Sequence, residues 1–134
     1  MKLAELINTL IEPTGLSVSV SEREITEPSE LYSIEVHHEV GDAVKDACLS
    51  EGFSAYAAYA FGEWLAELVT GWSTRYSNEM DILELDDVFS IAAFGERKSV
   101  IRCYLAPNFN TLLEHLPEIQ RGILAVFEHA KGLH

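Results

Sequence analysis

Between Phe53 and Leu68 the residues Phe53, Ala57, Ala60, Phe61, Trp64, Leu65 and Leu68 recur at three- and four-residue spacing. That is the period of a helix with one buried face. Glu63 and Glu67 share the other side, and Ser54, Ala55, Ala57, Ala58, Ala60 and Gly62 are small. A helix built this way can approach its neighbours closely. The segment reads as the central helix of the fold, running to about Val69 ahead of Gly71.

Around it the pattern changes several times. Leu3, Leu6, Ile7 and Leu10 have helical spacing and stop at Pro13 and Gly15. Leu16, Val18 and Val20 alternate with Ser17, Ser19 and Ser21, the signature of a half-buried strand. Residues 22–30 are acidic and include Pro28, which suits a turn. Tyr32, Ile34, Val36, His38 and Val40 then alternate with Ser33, Glu35, His37 and Glu39, a second strand with an acidic outer face. Gly41 ends it, Asp42 is a candidate N-cap for a short helix over Ala43 to Leu49, and Gly52 breaks that helix.

Residues 71–80 lack a sustained period and read as a loop carrying Trp72 and Tyr76. Ile82, Leu83 and Leu85 alternate imperfectly with acids, Val88 to Phe94 is apolar on both faces, and Val100 to Leu105 returns after a turn at Gly95 to Lys98 as a hairpin. Asn108 or Asn110 can cap a helix bearing Leu112, Leu113 and Leu116. Pro117 starts or kinks the next piece, whose stripe of Ile119, Ile123, Leu124 and Phe127 stops at Gly132.

The order predicts one compact α+β domain over residues 1–134. It has a mainly antiparallel sheet of about four or five strands, packed with an N-terminal, a central and a C-terminal helix. Its predicted core contains Leu6, Val18, Ile34, Val36, Phe61, Trp64, Leu68, Ile91, Ile101, Leu116, Ile123 and Phe127.

Charge limits the function. Twenty-two acidic residues face nine basic ones, a formal charge of −13 over 134 residues, yet 48% of the chain is hydrophobic. That apolar content belongs to a folded core rather than a disordered acidic tail. The acids crowd between Glu22 and Glu51, opposed there only by Arg23 and Lys45. Such a field repels nucleic acid and anionic lipid and attracts cationic partners. The basic cluster Arg97, Lys98 and Arg102 reads as a hairpin tip that bridges to nearby acids.

Motifs for chemistry are lacking. Glu35, His37 and Glu39 would share a strand face, but parity sends His38 to the other side and no further histidine cluster completes a metal site. Asp81, Glu84, Asp86 and Asp87 lack the glycine and the ligand spacing of a calcium loop. There is no GxSxG elbow, and His115 with Glu118 or Glu128 with His129 reads as helix surface. Cys48 and Cys103 fit no zinc or redox spacing and read as two thiols, with a single disulfide as the alternative. No enzyme, cofactor or metal is expected. The start of the chain has no signal-peptide core and no apolar run spans a bilayer, so a cytoplasmic address is expected, with no membrane partner.

These features point to a non-enzymatic acidic binder of a cationic protein. Its most concrete version is an immunity protein that neutralises a nuclease toxin, since nuclease sites are cationic and a carboxylate surface can occupy them. The expected partner-binding residues are Glu35, Glu39, Asp42, Asp46, Asp86 and Asp87, with Trp72 and Tyr76 as aromatic anchors. The alternative is a small acidic secretion-type chaperone acting as a homodimer, with the alanine- and aromatic-rich helix as dimer face. A nucleic-acid mimic is the third reading.

Overall fold

The computed structural model describes residues 1–31, 33–70 and 116–132. Those residues form four α-helices: α1 (Leu3–Ile11), α2 (Ile34–Ser50), α3 (Ala55–Thr70) and α4 (Leu116–Lys131), with short 3₁₀ turns at Glu12–Thr14 and Pro28–Leu31. No strand occurs among the described residues. The expected α+β sheet is therefore corrected to a helical architecture. The hairpin expected near residues 88–105, with Ile91 and Ile101, lies outside the described residues.

α1 buries Leu3, Leu6, Ile7, Leu10 and Ile11. It ends in the 3₁₀ turn with Pro13 at its start, and Gly15 takes the left-handed conformation at φ 78° that a side chain would resist. The following residues behave like a strand without a sheet. Leu16 and Val18 are buried between exposed Ser17 and Ser19, but their neighbour is a side chain. The Val18 N–H donates to Asn8 Oδ1 at 3.0 Å, and Asn8 Nδ2 donates to the Val18 carbonyl at 3.1 Å. One amide satisfies both backbone groups that a partner strand would have taken. Further on, an isolated antiparallel bridge joins Lys2 to Glu24.

The largest departure from expectation is α2. Residues 34–40, read as a strand, are its first two turns. Ser33 is extended (φ −132°, ψ 152°) and its Oγ accepts the Val36 N–H, an N-cap that starts the helix ahead of Asp42. The buried positions Val36, His37, Val40, Gly41, Val44 and Cys48 follow the helical period, whereas Ile34 is 40% exposed rather than in the core. Gly41 ends nothing and sits mid-helix.

α2 does stop at Gly52, as expected. Gly52 has φ 89°. Its N–H donates to the Leu49 carbonyl, and that of Phe53 donates to the Cys48 carbonyl, both at 3.1 Å, the paired bonds of a Schellman stop. Ser54 then caps α3 by accepting the Ala57 N–H at 3.1 Å. The chain reverses within four residues, and α2 and α3 form an antiparallel helical hairpin with the most extensive contact in the described structure.

That contact is unusually close at one point. A Cβ built on Gly62 would lie 2.8 Å from the Gly41 carbonyl oxygen and 3.2 Å from the Lys45 nitrogen. The two backbones touch there, which only glycine allows. α3 is buried on most sides, with Phe61 and Trp64 at its centre. α4 packs on both α3 and α1. Phe127 brings its ring to 5.4 Å from Phe61 and 5.2 Å from Phe53. Gln120 Nε2 donates to the Thr9 carbonyl at 2.8 Å, tying α4 to the end of α1. Of the remaining predicted core, Leu6, Val18, Val36, Leu68 and Ile123 are buried, and Leu116 is partly so.

Candidate functional site: the acidic face of the helical hairpin

Glu35, Glu39, Asp42 and Asp46 stand at intervals of four, three and four residues. On a strand and a separate short helix these residues would have had no common side. On α2 they form one stripe, roughly 16 Å long at 1.5 Å rise per residue. Glu35, Asp42 and Asp46 are exposed. Glu39 is not a free member of the row: its Oε1 accepts the Ser21 N–H at 2.6 Å, and its Oε2 lies 3.8 Å from Arg23 Nη2. Its role is to hold the segment before α2 against that helix.

The stripe is not placed for helix stability. Glu35 in the first turn suits the positive end of the helix dipole. Towards the other end come Asp46 and Glu51, and no basic residue occupies the last turn. Carboxylates there oppose the dipole, and a cation brought to that end would relieve the opposition.

Trp72, Tyr76, Asp86 and Asp87 lie outside the described residues. The exposed aromatics within them are Tyr56 and Tyr59 on α3, 47% and 50% accessible. The sequence carried a signal for them: both fall off the apolar stripe of Phe61, Trp64 and Leu68. Partial burial, with the Glu63 and Glu67 carboxylates adding, pushes the Tyr59 phenol above the ordinary tyrosine value. Leu49, at the loop end of α2, is exposed too.

On the inner side of the hairpin lies a polar cluster that sequence reasoning divided wrongly. Glu67, grouped with Glu63 as solvent-facing, is buried, as are His37 and Thr70. His37 Nε2 lies 3.1 Å from Glu63 Oε2 and His37 Nδ1 lies 3.3 Å from Thr70 Oγ1. His38 is exposed, with its ring edge-on to His37 at 5.9 Å between centroids. The two histidines diverge because adjacent helical residues are turned by about 100°, not through strand parity. Among the described residues no three acid, histidine or cysteine side chains are grouped to hold a metal.

Cys48 is buried on α2, and burial, with Glu51 adding, pushes its thiol up to about 12. A thiolate is disfavoured there, so the residue packs as an apolar group. No helix among the described residues is long and apolar enough to cross a membrane. Compared with protein families, curated proteins and solved structures, the chain has no match.

Proposed function

We propose that this chain is a non-enzymatic acidic binding protein that covers a cationic surface of a partner protein, in its most concrete form an immunity protein acting in the cytoplasm against a nuclease toxin. The observation that carries the reading is the alignment of Glu35, Asp42 and Asp46 along the exposed side of α2. A rigid helix presents these carboxylates in fixed relation, so little ordering entropy is lost when a partner docks. Tyr56 and Tyr59 offer large amphipathic area from the adjoining helix, the kind of residue that anchors protein interfaces.

The test is affinity capture from the native source, followed by stopped-flow association of the identified partner at several salt concentrations. Glu35→Lys with Asp42→Lys should slow association by about tenfold or more at low salt and flatten its salt dependence. Glu39 is left in place because its loss would also free Ser21. Tyr59→Ala should act mainly on dissociation. A partner that is itself acidic, or an association rate indifferent to salt, refutes the proposal.

A further inference from the structure

The segment after α1 has one closed backbone edge and one open one. Asn8 takes both the N–H and the carbonyl of Val18, at 3.0 and 3.1 Å. In extended backbone those two groups of a residue point the same way, and those of its neighbours point the other way. Leu16, in phase with Val18, also turns its N–H toward the end of α1, donating to Thr14 Oγ1 at 3.1 Å. The backbone groups of Ser17 and Ser19 therefore face away from α1. So does the N–H of Ser21, which donates to Glu39 Oε1 of α2 at 2.6 Å. Among the described residues nothing takes the N–H or the carbonyl of Ser17 or Ser19. Both serines are exposed, so water serves those groups.

Such an edge is a template for a further strand, and proteins ordinarily blunt it with lysine, proline or a bulge. Residues 16–21 are Leu-Ser-Val-Ser-Val-Ser, with no such guard. Buried Leu16 and Val18 anchor the segment from below, and Asn8 and Glu39 fix it at the sides. Little ordering remains for a docking strand to impose.

We propose that residues 17–19 are a docking edge for an extended basic segment of the partner protein, which joins the fold as an added strand. Ser17 and Ser19 each offer a donor and an acceptor, enough for two hydrogen-bonded residue pairs in an antiparallel pairing. Charge selects the occupant. Glu39, which closes the far end of the edge, belongs to the α2 row of Glu35, Asp42 and Asp46, and the exposed carboxylates of Glu22 and Glu24 follow in the chain. The nearby cations Lys2 and Arg23 are already paired, with Glu22 and Glu39. A second copy of this chain brings the same formal charge of −13, which opposes pairing of two such edges. The inference rests on the cationic-partner reading and adds how one segment of that partner is held.

The probe is the blocked peptide acetyl-Lys-Val-Lys-Val-Lys-amide, titrated into the ¹⁵N-labelled full chain. With the peptide bound, the amides of Ser17 and Ser19 should exchange with solvent about tenfold more slowly or better, while that of Val18 changes little. The same peptide methylated at every backbone nitrogen keeps its charge but donates from neither edge. It should bind at least about tenfold more weakly, and so should acetyl-Glu-Val-Glu-Val-Glu-amide. Ser19→Pro removes one open N–H that the fold itself does not use, so it should weaken the peptide by a similar factor with an unchanged urea midpoint. Equal binding of the methylated peptide, no binding at millimolar peptide, or bound peptide without protection at Ser17 and Ser19 overturns the inference. So does protection of these amides in the free chain that grows with protein concentration, which would make a second copy the occupant. Should Ser19→Pro fail to fold, the methylated peptide decides. A captured partner whose association depends on salt but ignores Ser19→Pro would sink the docking edge and leave the proposed function standing.

Discussion

Gly41 and Gly62 are both mid-helix glycines, and the structure predicts opposite outcomes when each is replaced by alanine. In a helix interior the change gains about 1 kcal/mol from restricting the unfolded backbone and improving helix propensity. At Gly41 nothing opposes that gain: the new Cβ would meet Glu63 Oε1 at 3.4 Å, a movable atom, and Ala66 Cβ at 3.6 Å. At Gly62 the new Cβ would meet the Gly41 carbonyl oxygen at 2.8 Å and the Lys45 nitrogen and Cβ at 3.2 and 3.4 Å. Two of those three atoms are backbone, so the helices themselves must separate by about half an ångström, which loosens contacts along the whole hairpin. Overpacking of this kind costs about 1–3 kcal/mol, and with backbone as the obstacle the upper part of that range applies. Gly41→Ala should therefore be neutral to about 1 kcal/mol stabilising, and Gly62→Ala about 1–2 kcal/mol destabilising. Urea melts followed by far-ultraviolet circular dichroism measure both, at slopes of about 1–3 kcal/mol per molar urea. A Gly62→Ala protein as stable as wild type, or a Gly41→Ala protein more damaged than Gly62→Ala, would refute the reading of this helix crossing.

Other residues give sharper local tests. Asn8→Ala should cost about 1–3 kcal/mol in the same melts, because it leaves the N–H and carbonyl of Val18 without their side-chain partner; no loss would mean that the amide is not what fixes residues 16–20. In a Cys103→Ser background, Cys48 should react with a thiol reagent only as fast as the protein opens, since the group is buried and its thiol raised to about 12; rapid labelling in native conditions contradicts its placement. The Tyr59 phenol, read as the difference between wild type and Tyr59→Phe in an ultraviolet titration, should ionise above the ordinary tyrosine range. Because the folded protein then keeps a proton that the unfolded chain gives up, this residue's contribution to stability is present below about pH 10 and is lost as pH rises further.

The helices that bury a wide apolar stripe were legible in the sequence. α1 declared itself through Leu3, Leu6, Ile7 and Leu10, α3 through Phe61, Trp64 and Leu68, and α4 through Ile119, Ile123 and Phe127. α2 was not legible because its residues satisfy two periods at once. Ile34, Val36, His38 and Val40 alternate, while Val36, Val40 and Val44 also repeat every four residues, and only the second pattern continues past Gly41. Taking that glycine for a stop concealed the continuation; in the fold its carbonyl faces Gly62 of α3. The same error scattered the site. Strand parity put Glu35 and Glu39 on one element and Asp42 and Asp46 on another, although charge singles out all four. What no pattern could show is that Glu39 would be engaged by Ser21 and Arg23, or that Glu67 would be buried. Those outcomes depend on which elements pack together, and the spacing of one segment does not contain that.

The tie between Gln120 and Thr9 has a bearing on how the chain is made. α1 rests on α4, yet more than a hundred residues separate the two in order of synthesis. At roughly 5–20 residues per second a ribosome needs on the order of 5–25 s to supply the second helix after the first has emerged. Throughout that interval the face of Leu3, Leu6, Ile7, Leu10 and Ile11 is without the helix that it packs against at the end. The α2–α3 hairpin, whose halves are separated by only four residues, can close long before. Assembly of these helices is thus divided in time, with an early local α2–α3 hairpin and a later closure in which α4 covers α1.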